Sequence, residues 1–129
     1  MGNDSEESRK SEREILDFIR AAVPSVWTLE VLLLFRRTAG RSWRAEALVT
    51  ELRSSANAIA QALLLLRGLG FIVEKDRTYE YRPANSDLES LVADIADLYA
   101  LKPRSVLQAI AVAPTEKLII FANAFKLKD

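Results

Sequence analysis

The spacing of apolar residues changes from helical to strand-like part-way along this chain, and that change limits the folds open to it. In the first half of the chain, apolar residues recur at every third or fourth position, which is the period of an amphipathic helix. After Gly68, which is expected to end a helix, and Gly70, the pattern becomes β-branched and aromatic in two runs, 71–75 and 79–82. Asp76-Arg77-Thr78 separates the two runs. The sequence therefore predicts a mostly helical fold with one β-hairpin.

The helices before the hairpin are predicted from their start and stop residues. Ser11 and Glu14 have the spacing of a capping box, and Pro24 ends the helix that they begin. Ser25 and Ser42 are expected to cap the second and third helices. The second helix is apolar nearly all round, so we expect it at the centre of the core. The predicted helices span residues 11–23, 25–38, 45–52 and 55–67.

Further helices are expected after Pro83, which closes the hairpin. Ser86 and Glu89 have the spacing of a second capping box, and Pro103 suits the first turn of a following helix. The stretch 118–125 is nearly all apolar, so we expect it to pack on its own domain or on another chain. The predicted organisation is a disordered tail over 1–10, an N-terminal helix over 11–24, a central domain over 25–83 and a C-terminal helical extension over 84–129.

Composition excludes several kinds of functional site. The chain contains no cysteine and no histidine, which excludes a disulfide framework, a Cys/His metal site and a histidine base. Asp94 and Asp97 share one helix side without a third convergent ligand, so we interpret them as part of a solvated face. We therefore expect no enzymatic activity, no metal and no cofactor.

The chain has no feature that predicts contact with a membrane. Its longest apolar runs, Val31–Phe35 and Ala62–Leu66, are far shorter than a membrane span. The N-terminal residues are polar and do not resemble a signal peptide. These observations predict a cytoplasmic protein without a membrane partner.

Charge is distributed unevenly along the chain, although the formal net charge is zero. Residues 1–24 carry four basic and six acidic side chains, residues 25–83 carry nine and six, and residues 84–129 carry five and six. The central domain therefore has a net charge of +3 between flanks of −2 and −1. The zero total argues mildly against a nucleic-acid binder, whereas the basic centre leaves such a partner open.

The order of short helix, tight turn, helix, glycine and hairpin is specific enough to suggest a family. The residues that carry it are Ala45–Arg53, the turn at Ser54-Ser55, Asn57–Leu66, and Gly68-Leu69-Gly70-Phe71-Ile72. This order resembles the winged helix-turn-helix family of bacterial regulators, of the broad MarR or ArsR type, over about residues 25–83. The resemblance implies a mostly α fold, a winged helix-turn-helix with one β-hairpin wing and additional N- and C-terminal helices.

The resemblance also implies a function, that of a DNA-binding transcriptional regulator. The helix at about 55–67 would enter the major groove of double-stranded DNA, and the wing at 74–80 would touch phosphates or the minor groove. Arg36, Arg37 and Arg41 would lie beside the groove. The candidates for base contacts are Ser55, Asn57, Ala58 and Gln61. The candidates for backbone contacts are Ser42, Arg44, Ser54, Lys75 and Arg77.

Regulators of this kind pair through flanking helices, so the resemblance implies a homodimer on a pseudo-palindromic site. The candidate dimer contacts are Leu118, Phe121 and Phe125, and an intramolecular role for the same residues stays open. A small-molecule effector stays open, although the residues do not identify one. A protein partner stays open as well.

A second function is predicted by the helix at 55–67 itself. This helix has no Arg or Lys before Arg67, and its expected outward positions include Ala58, Ala62 and either Leu64 or Leu65. Such a face also suits a winged-helix module that binds another protein without significant DNA binding. The aromatic residues do not decide between the two, because Trp27, Trp43, Tyr79 and Tyr81 are all expected to pack in the core.

Overall fold

In the computed structural model of this chain, residues 10–110 are described, and they form helices and one antiparallel β-hairpin. The first four helices are α1 (Glu12–Ala22), α2 (Val26–Arg37), α3 (Ala45–Leu52) and α4 (Ala56–Leu69). The hairpin pairs β1 (Ile72–Lys75) with β2 (Thr78–Tyr81). It is followed by α5 (Ser86–Leu101) and by α6, which begins at residue 103 and is described to residue 110. The predicted mostly helical fold with a hairpin is confirmed.

Helix α2 lies at the centre of the fold. From Thr28 to Phe35 every side chain is buried except that of half-buried Glu30. Helices α3, α4 and α5 and strand β2 all pack against it. A helix that is apolar nearly all round has to be buried. The central position predicted for α2 is therefore confirmed by its neighbours on all sides.

The flanking helices share one hydrophobic core with the central elements. Ile19 of α1, Ile95 of α5 and Val106 of α6 belong to the same buried cluster as the side chains of α2. Phe18 of α1 meets Phe71, which precedes β1, edge to face with ring centroids 6.3 Å apart. The helices before and after residues 25–83 therefore stabilise that region rather than forming separate units.

The structure confirms the caps predicted at Ser11 and Ser25 and contradicts those predicted at Ser42 and Ser86. Ser11 completes a capping box with Glu14, and Ser25 caps α2. Helix α3 has Arg44 at its N-cap without a side-chain capping bond, so the cap predicted at Ser42 is wrong. The cap of α5 is Asn85, one residue before the predicted Ser86, and its side chain accepts the N–H of Leu88 at 2.9 Å. Asn85 has the extended backbone that this position requires.

The end of α4 and the hairpin turn each differ slightly from the prediction. Helix α4 continues through Gly68, and the chain turns at Gly70, whose φ of 90° is the left-handed conformation that glycine adopts without strain. Asp76 and Arg77 alone form the hairpin turn, with φ of 53° and 65°. Thr78 therefore belongs to β2, because a turn with positive φ at two successive residues suits the twist of paired strands.

The solvent exposure predicted for three side chains is wrong. Trp27 is 38% exposed, because the burial of α2 begins only at Thr28. Ala62 is fully buried, since it continues the inner stripe of α4 that also holds Ile59. Asp94 is buried, and its carboxylate accepts the backbone N–H of Lys10 at 3.2 Å, so it is not part of a solvated face.

Among residues 10–110, no single helix has both the length and the apolar content needed to cross a bilayer. Helices α1 and α2 reach those values only when taken together, and a bend of 116° separates them.

Neighbouring leucines on α4 provide a direct test of this packing. Leu63 is buried, whereas Leu64 is 72% exposed. We expect Leu63→Ala to lower the free energy of unfolding by about 2–5 kcal/mol, because it leaves a cavity in the core. The matched variant Leu64→Ala should change it by no more than about 0.5 kcal/mol. Urea unfolding of both variants measures the two values, and equal losses would contradict the orientation of α4.

Candidate nucleic-acid interface

Helices α3 and α4 are joined by a turn of three residues, 53–55. Arg53 adopts the left-handed conformation, and the N–H of Ser54 donates to the carbonyl of Val49 at 3.0 Å. Ser55 then caps α4 by accepting the N–H of Ala58 at 3.1 Å. This turn fixes the first turn of α4 against α3, as the sequence predicted.

The two faces of α4 differ in their chemistry. The inner face is apolar and buried and consists of Ile59, Ala62, Leu63 and Leu66. Among the exposed residues of α4, four form what we call the outer face: Asn57, Ala60, Gln61 and Leu64. These positions are spaced three or four residues apart, so their side chains form one stripe along the helix. These four residues are uncharged, and the exposed Arg67 follows them one turn after Leu64 on the same side of the helix.

The predicted base-contacting residues are only partly on this outer face. Asn57 and Gln61 are exposed there, as expected. Ser55 is exposed, but its hydroxyl oxygen already accepts a hydrogen bond as the cap of α4. Ala58 is half-buried, whereas Ala60 is exposed. Hydropathy could not distinguish the two alanines, because their orientation depends on the register of the larger inner residues.

A backbone bridge ties the segment before α3 to the hairpin. The N–H of Trp43 donates to the carbonyl of Tyr79 at 2.8 Å, and the N–H of Tyr79 donates back at 2.7 Å. The Trp43 ring is buried, its Nε1–H donates to Thr38 at 2.9 Å, and the Arg41 guanidinium lies 3.7 Å from its centroid. The start of α3, at Arg44, is thereby held at the edge of β2.

The opposite edge of the hairpin is tied to α4. Arg67, near the end of α4, forms an ion pair and hydrogen bond with Glu74 of β1. Glu74 lies opposite Tyr79 in the strand register. Burial, and then the charge of Glu74, raise the pKa of Tyr79, while Arg67 opposes the rise. The hairpin is therefore connected on one side to the start of α3 and on the other to the end of α4.

Exposed cationic side chains occur at the ends of these elements. Arg53 lies in the turn before α4, and Lys75 and Arg77 lie at the hairpin tip. Arg44 is exposed and 3.8 Å from Glu46, a distance at which an exposed pair contributes little. Arg53 was missed by sequence reasoning, although a basic residue in the turn before the predicted groove-binding helix was a usable signal.

Some predicted backbone contacts are not available in the structure. The hydroxyl of Ser54 is buried and has no hydrogen-bond partner within the described part of the chain, so it does not reach the surface. Arg36 is directed toward α5, where its Nε lies 3.8 Å from Glu89, and not beside the outer face. Ser42 and Arg37 are exposed, as a phosphate contact requires. Ser54 and Arg36 are therefore removed from the set of candidates.

A shallow apolar groove runs along the second half of α4. Its volume is about 300 Å³, and it is lined by Gln61, Leu64, Leu65, Gly68 and Leu69. Leu64 is the exposed leucine of this set, at 72%. The prediction that Leu64 or Leu65 faces outward is confirmed for Leu64.

The remaining site predictions concern metals and the dimer. Within residues 10–110, no group of three or more acidic residues could hold a metal ion. The predicted dimer contacts Leu118, Phe121 and Phe125 lie outside the described residues.

No family model, curated protein or solved structure matches this chain. The residues of the chain itself are therefore the basis for assigning a function.

The base of the hairpin is held by Tyr81, whose titration provides a test. Its hydroxyl donates to Glu89 at 2.5 Å, and burial, followed by that bond and the charge of Glu89, raises the pKa of Tyr81 well above the ordinary value of 10.0. The unfolded chain therefore loses this proton first as the pH rises. Stability from this group is present below about pH 10 and is lost above it.

We expect the free energy of unfolding to fall above pH 10 by up to about 1.4 kcal/mol per pH unit for this one phenol. Burial also raises the pKa values of Tyr79 and Tyr99, so Tyr81→Phe should reduce the fall without abolishing it. Urea unfolding across this pH range measures the slope. Equal slopes for the wild type and Tyr81→Phe would contradict the raised pKa of Tyr81 in the folded chain.

Proposed function

We propose that this protein is a DNA-binding transcription regulator with a winged helix-turn-helix fold. One observation carries the proposal: α4 exposes the amides of Asn57 and Gln61, and the turn before it and the hairpin after it carry exposed cations. The Trp43–Tyr79 bridge holds the start of α3 against one edge of the hairpin, and the Arg67–Glu74 pair holds the end of α4 against the other. The order of these elements is that of the family that the sequence resembles.

In this proposal α4 lies in the major groove of double-stranded DNA. Asn57 and Gln61 contact base edges, because their amides both donate and accept hydrogen bonds. Arg44, Lys75 and Arg77 contact phosphates from outside the groove. Arg53, in the turn before α4, makes a further phosphate contact. Phosphate contacts fix the position of the protein, and base contacts select the sequence.

We also propose that the protein acts as a homodimer on a pseudo-palindromic site, where it blocks or recruits the transcription machinery. Exposed leucines on the two helices after the hairpin support a second interface, because Leu101 ends α5 at 80% exposure and Leu107 lies on α6. Such a regulator acts in the cytoplasm, where a bacterial chromosome lies.

A second candidate function is supported by the groove along α4. An exposed leucine beside an apolar groove suits a protein partner, and the outer face has no cation to neutralise a phosphate. In that case the fold would serve as a protein-interaction module. The two functions differ in their response to salt, because apolar contacts are insensitive to it and phosphate contacts are not.

Fluorescence anisotropy of a labelled mixed-sequence duplex with the full chain tests the first function. We expect binding at low salt that weakens steeply between about 50 and 200 mM salt. The triple variant Arg44→Ala/Lys75→Ala/Arg77→Ala should bind more weakly. Its plot of log affinity against log salt should be shallower by about 0.9 for each phosphate that the variant no longer neutralises.

A matched control removes the same charge elsewhere. Arg13, Arg20 and Arg104 lie on α1 and α6, and replacing all three by alanine should leave the salt slope unchanged. Equal losses of affinity in the two triple variants would mean that only total charge matters. Absence of binding at low salt would overturn the DNA-binding function and favour the protein-interaction module.

A further inference from the structure

The outer face of α4 carries two kinds of side chain and no others. Asn57 and Gln61 are amides, and Ala60 and Leu64 are apolar. Arg67, the cationic residue on α4, is engaged with Glu74 of the hairpin. The outer face therefore offers a partner amide hydrogen bonds and apolar contact, without a charge.

These two kinds of side chain match one kind of base pair. In the major groove, adenine presents an acceptor and a donor that an Asn or Gln amide contacts together, and thymine presents a methyl group. Guanine is most often read by Arg or Lys, and the cytosine amino group by a carboxylate. The outer face has neither of these groups, so it complements A·T pairs and lacks the usual readers of G·C pairs.

The dimensions of the outer face suit a short run of base pairs. Leu64 lies seven positions after Asn57. At the rise of an α-helix this distance is about 10 Å, or about three base pairs. The apolar groove beside Leu64 has a volume of about 300 Å³, which is ample for a methyl group. Covering this exposed leucine with a methyl group removes apolar surface from water.

We propose that the outer face of α4 recognises a short run of A·T base pairs. Asn57 and Gln61 contact adenine edges, and Ala60 and Leu64 contact the C5-methyl groups of thymine. This inference rests on the proposed DNA-binding function and names the sequence class that the function would select.

Three short duplexes of equal length test the inference by fluorescence anisotropy at one low salt concentration. The first is rich in A·T pairs, the second has uracil in place of every thymine, and the third is rich in G·C pairs. Uracil keeps the hydrogen-bonding groups of thymine and lacks only the methyl. We expect the full chain to bind the first duplex most tightly and to lose about four-fold in affinity for each contacted methyl removed.

Variants separate a direct contact from an effect of uracil on DNA shape. Leu64→Ala should bind the thymine duplex more weakly and should distinguish thymine from uracil less than the wild type does. Asn57→Ala should reduce the preference for A·T over G·C duplexes. Val26→Ala is the matched control, because Val26 is an apolar residue at the start of α2 that is 40% exposed, and it should leave all three affinities unchanged.

Each outcome bears on one of the two proposals. Equal binding to the three duplexes would overturn the A·T inference while leaving DNA binding intact. A thymine preference that is unchanged in Leu64→Ala would overturn the role of Leu64 in that inference. Failure to bind any duplex at low salt would overturn DNA binding itself, and the inference with it.

Discussion

The burial of α2 is the constraint on which the rest of the structure depends. Every side chain from Thr28 to Phe35 except Glu30 is buried, so the helix requires neighbours on all sides. Helices α3, α4 and α5 and strand β2 supply that cover. Once the inner face of α4 is committed to α2, its outer face must point to solvent. The exposed face that we assign to DNA is therefore a consequence of how the core is covered.

A second layer of contacts fixes the elements that carry the exposed cations. The backbone bridge between Trp43 and Tyr79 fixes the start of α3, and the Tyr81–Glu89 hydrogen bond fixes the base of the hairpin on α5. These contacts leave Lys75 at the free end of the hairpin. The hairpin is therefore held where it meets the helices and is exposed at its tip.

Features that depend on neighbouring residues could be predicted from the sequence, and features that depend on distant ones could not. The central position of α2 and the turn at 53–55 follow from local periodicity and capping. The bridge at Trp43 involves one residue pair far apart in the chain, which leaves no periodic signal. Asp94 is polar and was expected in solvent, but its partners include Lys10, before α1. Ala60 and Ala62 differ only through the register of α4.

The most direct test of the account is an NMR titration of the ¹⁵N-labelled chain with an A·T-rich duplex. We predict that the side-chain amide signals of Asn57 and Gln61 shift together with the backbone signals of Lys75 and Arg77. The signals of buried Ile95 on α5 should stay in place. Shifts confined to α5 and α6, with Asn57 and Gln61 unaffected, would contradict the assignment of the outer face of α4 to DNA.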